Sequence, residues 1–459
     1  MRSEAARRLG LARLVLLAGL VPLAAAPTAV AQDTQYWSIQ YGPVGQLVGG
    51  QLIGGVSDLS ATFYNPGALA LRNESSYLLS TESVQWEKLT TEPQPGIAVF
   101  DTSSSTFGAA PSLLAGVLPR WFGDKNHLAW SFLTRQKLDV RLGQRITDPL
   151  AGASVSASES YLDQRAHEEW AGLTLSRAVS DSVGIGITWY GVYRGQRTRK
   201  ELSFAAVAAN GQDGLSVSGV SDFQFSHYRT LAKLGAAWRT KQWHAGMSLT
   251  TPSLGAFGSG KAGYTISITG VDSNGDGRPD PPVLQTATAE DLASEYRSSW
   301  ALGAGVSRRA GGTRLYASAE WYAPVGRFTV LEAPADAPGA SRLTQVLRSV
   351  LNAGIGLEHV LSEEVSVYGA FHTDFSASEG SARSNVAVSD WDLYHFSGGL
   401  SFRFRDNRFT LGASWAKGSK ARPLDTPIPP EELPEAGLDR SVTIRYSKVT
   451  ILIGFQFGS

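Results

Sequence analysis

The strongest constraint on this chain is a rhythm of connections. From about Tyr77 to the C-terminus, fourteen segments of alternating apolar and polar residues are joined by links that are alternately short and long. The segments fall at about 77–87, 105–118, 127–141, 166–179, 182–197, 223–240, 242–255, 295–308, 312–323, 349–361, 364–376, 391–405, 407–416 and 441–457. Short links sit at Phe122–Asp124, Ser180–Asp181, Lys241, Ala310–Gly311, Ser362–Glu363 and Asp406, and every other link is long. Successive side chains of a strand point to opposite faces. Trp243, Ala245, Met247 and Leu249 therefore share one face, as do Leu315, Ala317, Ala319 and Trp321, and Ile451, Ile453, Phe455 and Phe457. That face is apolar throughout, and the other is small, polar or charged. A soluble barrel with a packed interior needs the reverse, whereas a membrane barrel has lipid outside and a polar lumen. An open edge in hydrocarbon would leave peptide groups unpaired at roughly several kcal/mol each, so the sheet must close. The expected fold is all-β: a 14-stranded antiparallel transmembrane β-barrel, its short turns and both termini on the periplasmic side. Aromatic residues near strand ends, among them Trp130, Trp238, Trp300, Trp321, Trp391 and Trp415, are expected at the membrane interfaces.

The N-terminus agrees with export. Met1 to Ala31 reads as a signal peptide, with Arg2, Arg7, Arg8 and Arg13 leading an apolar core from Leu14 to Ala26 and Ala29-Val30-Ala31 forming a small-x-small cleavage site. Beyond it no run of about 18 apolar residues occurs, so no transmembrane helix is expected. The segment from Tyr36 to Leu71 is Gly-rich and does not alternate, which sets a small plug (32–72) ahead of the barrel (73–459). The absence of Cys excludes a disulfide scaffold, a zinc-thiolate site and a cysteine nucleophile. Lys plus Arg equals Asp plus Glu at 41 each with no long block of either sign, so there is no footprint for a nucleic acid.

The most specific phrase is Ser57-Asp58-Leu59-Ser60-Ala61-Thr62-Phe63-Tyr64-Asn65-Pro66-Gly67-Ala68-Leu69-Ala70. It resembles the plug phrase, ending NPAGLA, of the FadL-like outer-membrane transporters of long-chain fatty acids and aromatic hydrocarbons. Ala61, Asn65, Pro66, Leu69 and Ala70 match, while Gly67-Ala68 stands where that family usually has Ala-Gly. Gly246-Met247-Ser248-Leu249-Thr250-Thr251-Pro252 is similar to a strand-end phrase midway along the same family, and the likeness extends over nearly all of 36–459. The resemblance implies a hatch inside the barrel, carried by Phe63, Tyr64, Asn65, Pro66, Gly67 and Leu69. It also implies an apolar internal pocket, passive passage of a hydrophobic small molecule, and a kink in the third strand through which cargo leaves sideways. Its implied partners are that cargo, outer-membrane lipids and the barrel assembly machinery.

Alternation sends Trp130, Phe132 and Leu138 of the third strand outward and Arg135, Lys137, Asp139 and Arg141 inward. Arg135 and Lys137 are thus candidates for holding a carboxylate, with Arg229 and Lys233 behind them; pairing with lumen acids is the alternative role. Asp272, Asn274, Asp276 and Asp280 are spaced like ligands of a calcium loop with Gly277 at the bend, but Val283 stands where the bidentate Glu belongs. A structural Ca²⁺ clip and an unliganded acidic turn both fit, and no other cofactor is expected. No nucleophile elbow, zincin or P-loop motif is present, so the chain is expected not to be an enzyme. A structural or adhesive barrel with long contact loops is the principal alternative to a transporter.

Overall fold

The computed structural model describes residues 34–71, 77–91, 102–119, 125–146, 153–208, 214–270, 278–332, 343–378, 391–423 and 441–458. The expected signal peptide lies outside them. Two short helices, α1 (Pro43–Leu47) and α2 (Ala61–Tyr64), and a 3₁₀ turn (Pro66–Leu71) come first. The strands follow: β1 (Tyr77–Thr91), β2 (Thr102–Leu118), β3 (Asn126–Ile146), β4 (Ala153–Ser180), β5 (Val183–Ala208), β6 (Gly214–Arg239), β7 (Trp243–Thr250), β8 (Leu254–Thr269) and β9 (Val283–Ala293). Then come β10 (Ala301–Ala310), β11 (Thr313–Tyr322), β12 (Val325–Leu331), β13 (Leu343–Leu347), β14 (Val350–Val360), β15 (Val365–Asp374), β16 (Leu393–Phe404), β17 (Asn407–Pro423) and β18 (Ser441–Phe457).

Fourteen of these, β1–β7, β10, β11 and β14–β18, form a closed antiparallel ring in which β1 meets β18. All fourteen expected segments are strands. Closure pairs each strand of the wall with a neighbour on both sides over at least part of its length. Two expected loops are partly strand instead: β4, β5 and β6 stay paired through much of 142–165 and 198–222 and stand above the rest of the ring. The long links 256–294 and 324–348 contain hairpins of their own. One, β8–β9, continues the upper part of β6, and the other, β12–β13, turns into the mouth of the lumen.

Exposure follows the alternation. Met247, Leu315, Trp321, Phe396, Phe404 and Phe457 face outward, so the outer surface is an apolar band. Trp238, Trp300, Trp321 and Trp415 lie on it; Trp391 does not, being buried inside against Tyr446. Among the described residues no helix is long and apolar enough to cross a membrane. The two ends of the described chain lie at opposite ends of the barrel. The C-terminal Phe457 is at the short-turn end, opposite Tyr77. Thr34, the first described residue, lies inside the long-loop end, where its carbonyl accepts from the Ala377 N–H and its hydroxyl pairs with Ser376 at 2.8 Å. The hatch therefore runs down the lumen toward the short turns before the chain enters the wall.

Candidate functional site

The hatch is almost wholly buried and is held by hydrogen bonds to the wall. Asn65 Nδ2 donates to the carbonyls of Ile53 (2.8 Å) and Ala236 (2.9 Å), joining two parts of the hatch to β6. The Thr62 carbonyl accepts from Thr188 (2.8 Å) and Tyr190 (2.7 Å) of β5, and Ala70 N–H donates to Ser176 of β4 at 3.0 Å. Pro66 needs no partner for its nitrogen. Gly67 explains the departure from the usual phrase: a Cβ there would lie 2.6 Å from the Gly235 carbonyl oxygen and 2.7 Å from that of Gly184. The turn meets the wall backbone to backbone, which only glycine permits. Burial holds the hatch phenols of Tyr41 and Tyr64 well above their usual titration range, so both stay neutral donors. Tyr41 donates to the Thr134 carbonyl at 3.2 Å.

Above the hatch is a narrow cavity of about 70 Å³. Phe63, Trp170, Leu231, Tyr296, Tyr322 and Leu347 give it apolar walls. Leu347 belongs to the β12–β13 hairpin, so the mouth side is covered as well. Charged groups are set among these rings. Glu168 accepts from Arg229 (2.6 Å) and Arg194 (3.2 Å), and Glu320 pairs with Lys233 at 3.3 Å while also accepting from Trp37 and Tyr322. Arg194 and Arg229 lie over the Tyr296 ring at 4.2 and 4.8 Å, and Lys233 lies over Phe63 at 4.5 Å. Arg135 rests against Phe63 and Trp170, 5.8 Å from each ring, with no carboxylate at ion-pair distance among the described residues. Arg229 keeps Nε and Nη1 without an acceptor. Because a buried donor left unmade costs about 1–3 kcal/mol, and more when charged, this chamber is suited to receive an anionic group.

Of the four cationic candidates, Arg135, Arg229 and Lys233 line this cavity together and Lys137 does not. A bulge is the reason. The β3–β4 register slips between Thr134 and Gln136, so Arg135 is the extra residue and the faces exchange beyond it. Gln136 and Leu138 turn inward, the latter buried, while Lys137 moves to the face of its partner His167, with Asp139 and Arg141 following. The same place marks a break in the wall: β2 pairs with β3 only over Leu113–Leu118, opposite Leu133–Leu128. Thr134 Oγ1 bridges part of the break by donating to the Pro111 carbonyl at 3.0 Å.

Glu168, Glu320, Arg194, Tyr296 and Trp37 were not singled out from the sequence. The polar-face position of Glu320 in an alternating run was the available signal. Of the calcium-loop residues, Asp272, Asn274 and Asp276 lie outside the described residues; Asp280 is partly buried, and no metal-holding group occurs among those described.

No family model and no curated protein matches the sequence. Solved structures do match. A FadL homologue from Pseudomonas aeruginosa superposes with a TM-score of 0.58 at 15% identity, over 92% of this chain and 99% of that one. The fold is that of a FadL-type barrel. The P. putida toluene transporter TodX superposes at 0.57 with 11% identity over 92% and 99%, and the Ralstonia pickettii toluene transporter TbuX at 0.50 with 13% over 91% and 98%. Within this FadL-type barrel the hatch, the chamber and the break beside β3 lie along one side of the lumen, in contact through Tyr41, Phe63 and Arg135.

Proposed function

We propose that this chain is an outer-membrane channel for passive uptake of a hydrophobic small molecule that carries a carboxylate, of the long-chain fatty acid class. The observation that carries the proposal is the apolar-walled chamber in which two donors of Arg229 lack an acceptor and Arg135 has no carboxylate at ion-pair distance among the described residues. The solved structures it resembles include one titled a FadL homologue and others titled monoaromatic hydrocarbon channels, which supports hydrophobic cargo as a class. A neutral aromatic would leave Arg135 and Arg229 as they are. A carboxylate would satisfy them.

The cavity, at about 70 Å³, is smaller than the roughly 150 Å³ that accommodates benzene in a protein interior, so this is a closed state. Passage requires the hatch or the mouth hairpin to move. A water-filled route would expose an acyl chain at roughly 0.8 kcal/mol per CH₂, which favours exit through the break beside β3 into the membrane. The hatch holds Tyr41 on the edge of that break, and its displacement would free both chamber and exit.

A tether tests this. The chain has no cysteine, and a Cβ at Gly356 would lie 2.9 Å from the Val48 Cβ, within about half an ångström of disulfide range. Cells carrying Val48→Cys with Gly356→Cys should take up labelled oleate only after reduction. Equal uptake with the disulfide formed and reduced would exclude hatch movement.

A further inference from the structure

The wall behind the hatch turn has an unusual build. On its inner side, Ser176, Gly186, Gly235, Ser248 and Gly303 occupy one cross-strand level of β4, β5, β6, β7 and β10. Gly186 and Gly235 leave no room for a side chain: a Cβ would stand 2.5 Å from the Pro66 carbonyl oxygen at the first and 2.7 Å from Pro66 Cδ at the second. The wall is drawn in against Asn65-Pro66-Gly67, and the lipid side carries the matching dent. It is a depression of about 830 Å³.

The register gives this depression a direction. Leu175, Ile187, Leu234, Leu249 and Leu302 form its inner row, and Arg177, Ile185, Ala236 and Met247 form the next row toward the short turns. The rows are two residues apart, about 6.6 Å along a strand. Ala236 makes a shallow floor between larger neighbours, and the exposed Arg177 stands at one end with Asn126 beside it. Trp238, 45% exposed, lies two residues beyond Ala236 at the level expected of an interfacial aromatic. A long cationic side chain one row inside that level can lay its stem on apolar surface and its head at the interface, where lipid phosphates lie.

We infer that the outer dent over Ala236, closed at one end by Arg177, is a binding site for a single phospholipid of the leaflet beside the short turns, an acyl chain on the Ala236 floor and the phosphate on the guanidinium. This rests on the barrel spanning a membrane. The phospholipid and the hatch turn share one layer of bare backbone, Asn65 donating to the carbonyl of the same Ala236. A seated hatch shapes the dent, so a phospholipid that fills it favours the closed channel.

The test is native mass spectrometry of the full chain, first in nanodiscs of phosphatidylglycerol and then in detergent under conditions that strip annular lipid. The wild type should keep one phosphatidylglycerol. Ala236→Trp, which fills the floor and points away from the lumen, should lower that retention at least tenfold, with Met247→Trp on the same row as the second variant. Arg177→Gln should abolish the preference for phosphatidylglycerol over dioleoylglycerol. Equal retention by wild type and both filled variants overturns the site. So does equal retention of dioleoylglycerol by the wild type, or displacement of the lipid by inorganic phosphate alone. Heat-modifiable migration monitors folding of each variant. Recovery of the wild type as a water-soluble monomer overturns the membrane reading and this site together, whereas a folded barrel that retains no lipid overturns this site alone.

Discussion

The two tiers of the lumen are sealed by different physics. At the short-turn end the hatch turn Asn65-Pro66-Gly67 is pressed onto wall glycines, and backbone meets backbone with amide hydrogen bonds from Asn65. At the long-loop end the chamber is closed by rings and by charges that partly neutralise one another around Glu168 and Glu320. A backbone contact has no rotamers and tolerates no added atom, so the lower tier is either seated or not. Side chains can rearrange, so the upper tier is the more adaptable of the two. The difference teaches that one lumen can be closed by two kinds of contact, with Phe63 of the hatch reaching into the upper tier.

The comparison can be broken most sharply at Glu168. Replacing it with Ala leaves Arg194 and Arg229 buried beside each other without their shared carboxylate, and loss of one partner of a buried pair costs about 3–5 kcal/mol. Thermal unfolding followed by heat-modifiable migration should show that loss, and a drop below 1 kcal/mol would mean that water already reaches the chamber. Next is Gly67→Val, expected to cost about 1–3 kcal/mol through overpacking against Gly184 and Gly235. It should leave the barrel folded while making the hatch sensitive to protease and the membrane leaky to dyes. A hatch as resistant as wild type would show that the seat is not rigid.

Smaller still is a sorting of cations. Arg135→Ala should weaken oleate binding about tenfold, near 1.4 kcal/mol, and leave toluene binding unchanged, while Lys137→Ala should alter neither. Titration calorimetry on both variants checks this, and an equal effect from Lys137 would return it to the lumen. Asp276→Ala should change stability in millimolar calcium least, because position twelve of its loop is Val283. A fall in melting temperature seen only with calcium present would instead make the loop a metal clip.

The wall was legible because period two and alternating link lengths are independent signals that agree across the chain. Its irregular points were not. A bulge adds one residue without any mark in composition, and at Arg135 that one residue moved Lys137, Asp139 and Arg141 off the lumen face and brought Leu138 onto it. The hatch phrase was legible as a phrase, but the role of its glycine was not. At Gly67 glycine serves close packing, a property of the partner strands that no local pattern carries. The chamber acids escaped notice for a similar reason: Glu168 lies beside Glu169 on one strand, and only the ring decides which of the two looks inward.

The break between β2 and β3 has a mechanical consequence. The seam between the first and last strands runs from Tyr77 opposite Phe457 to Thr91 opposite Ile444, whereas β2 and β3 are stitched only over Leu113–Leu118. A closed ring under tension parts where the fewest bonds share the load. When this barrel is pulled from the membrane by a tip, or loosened until its amides exchange with heavy water, the first rupture should run along β3 rather than along the junction of the chain's two ends.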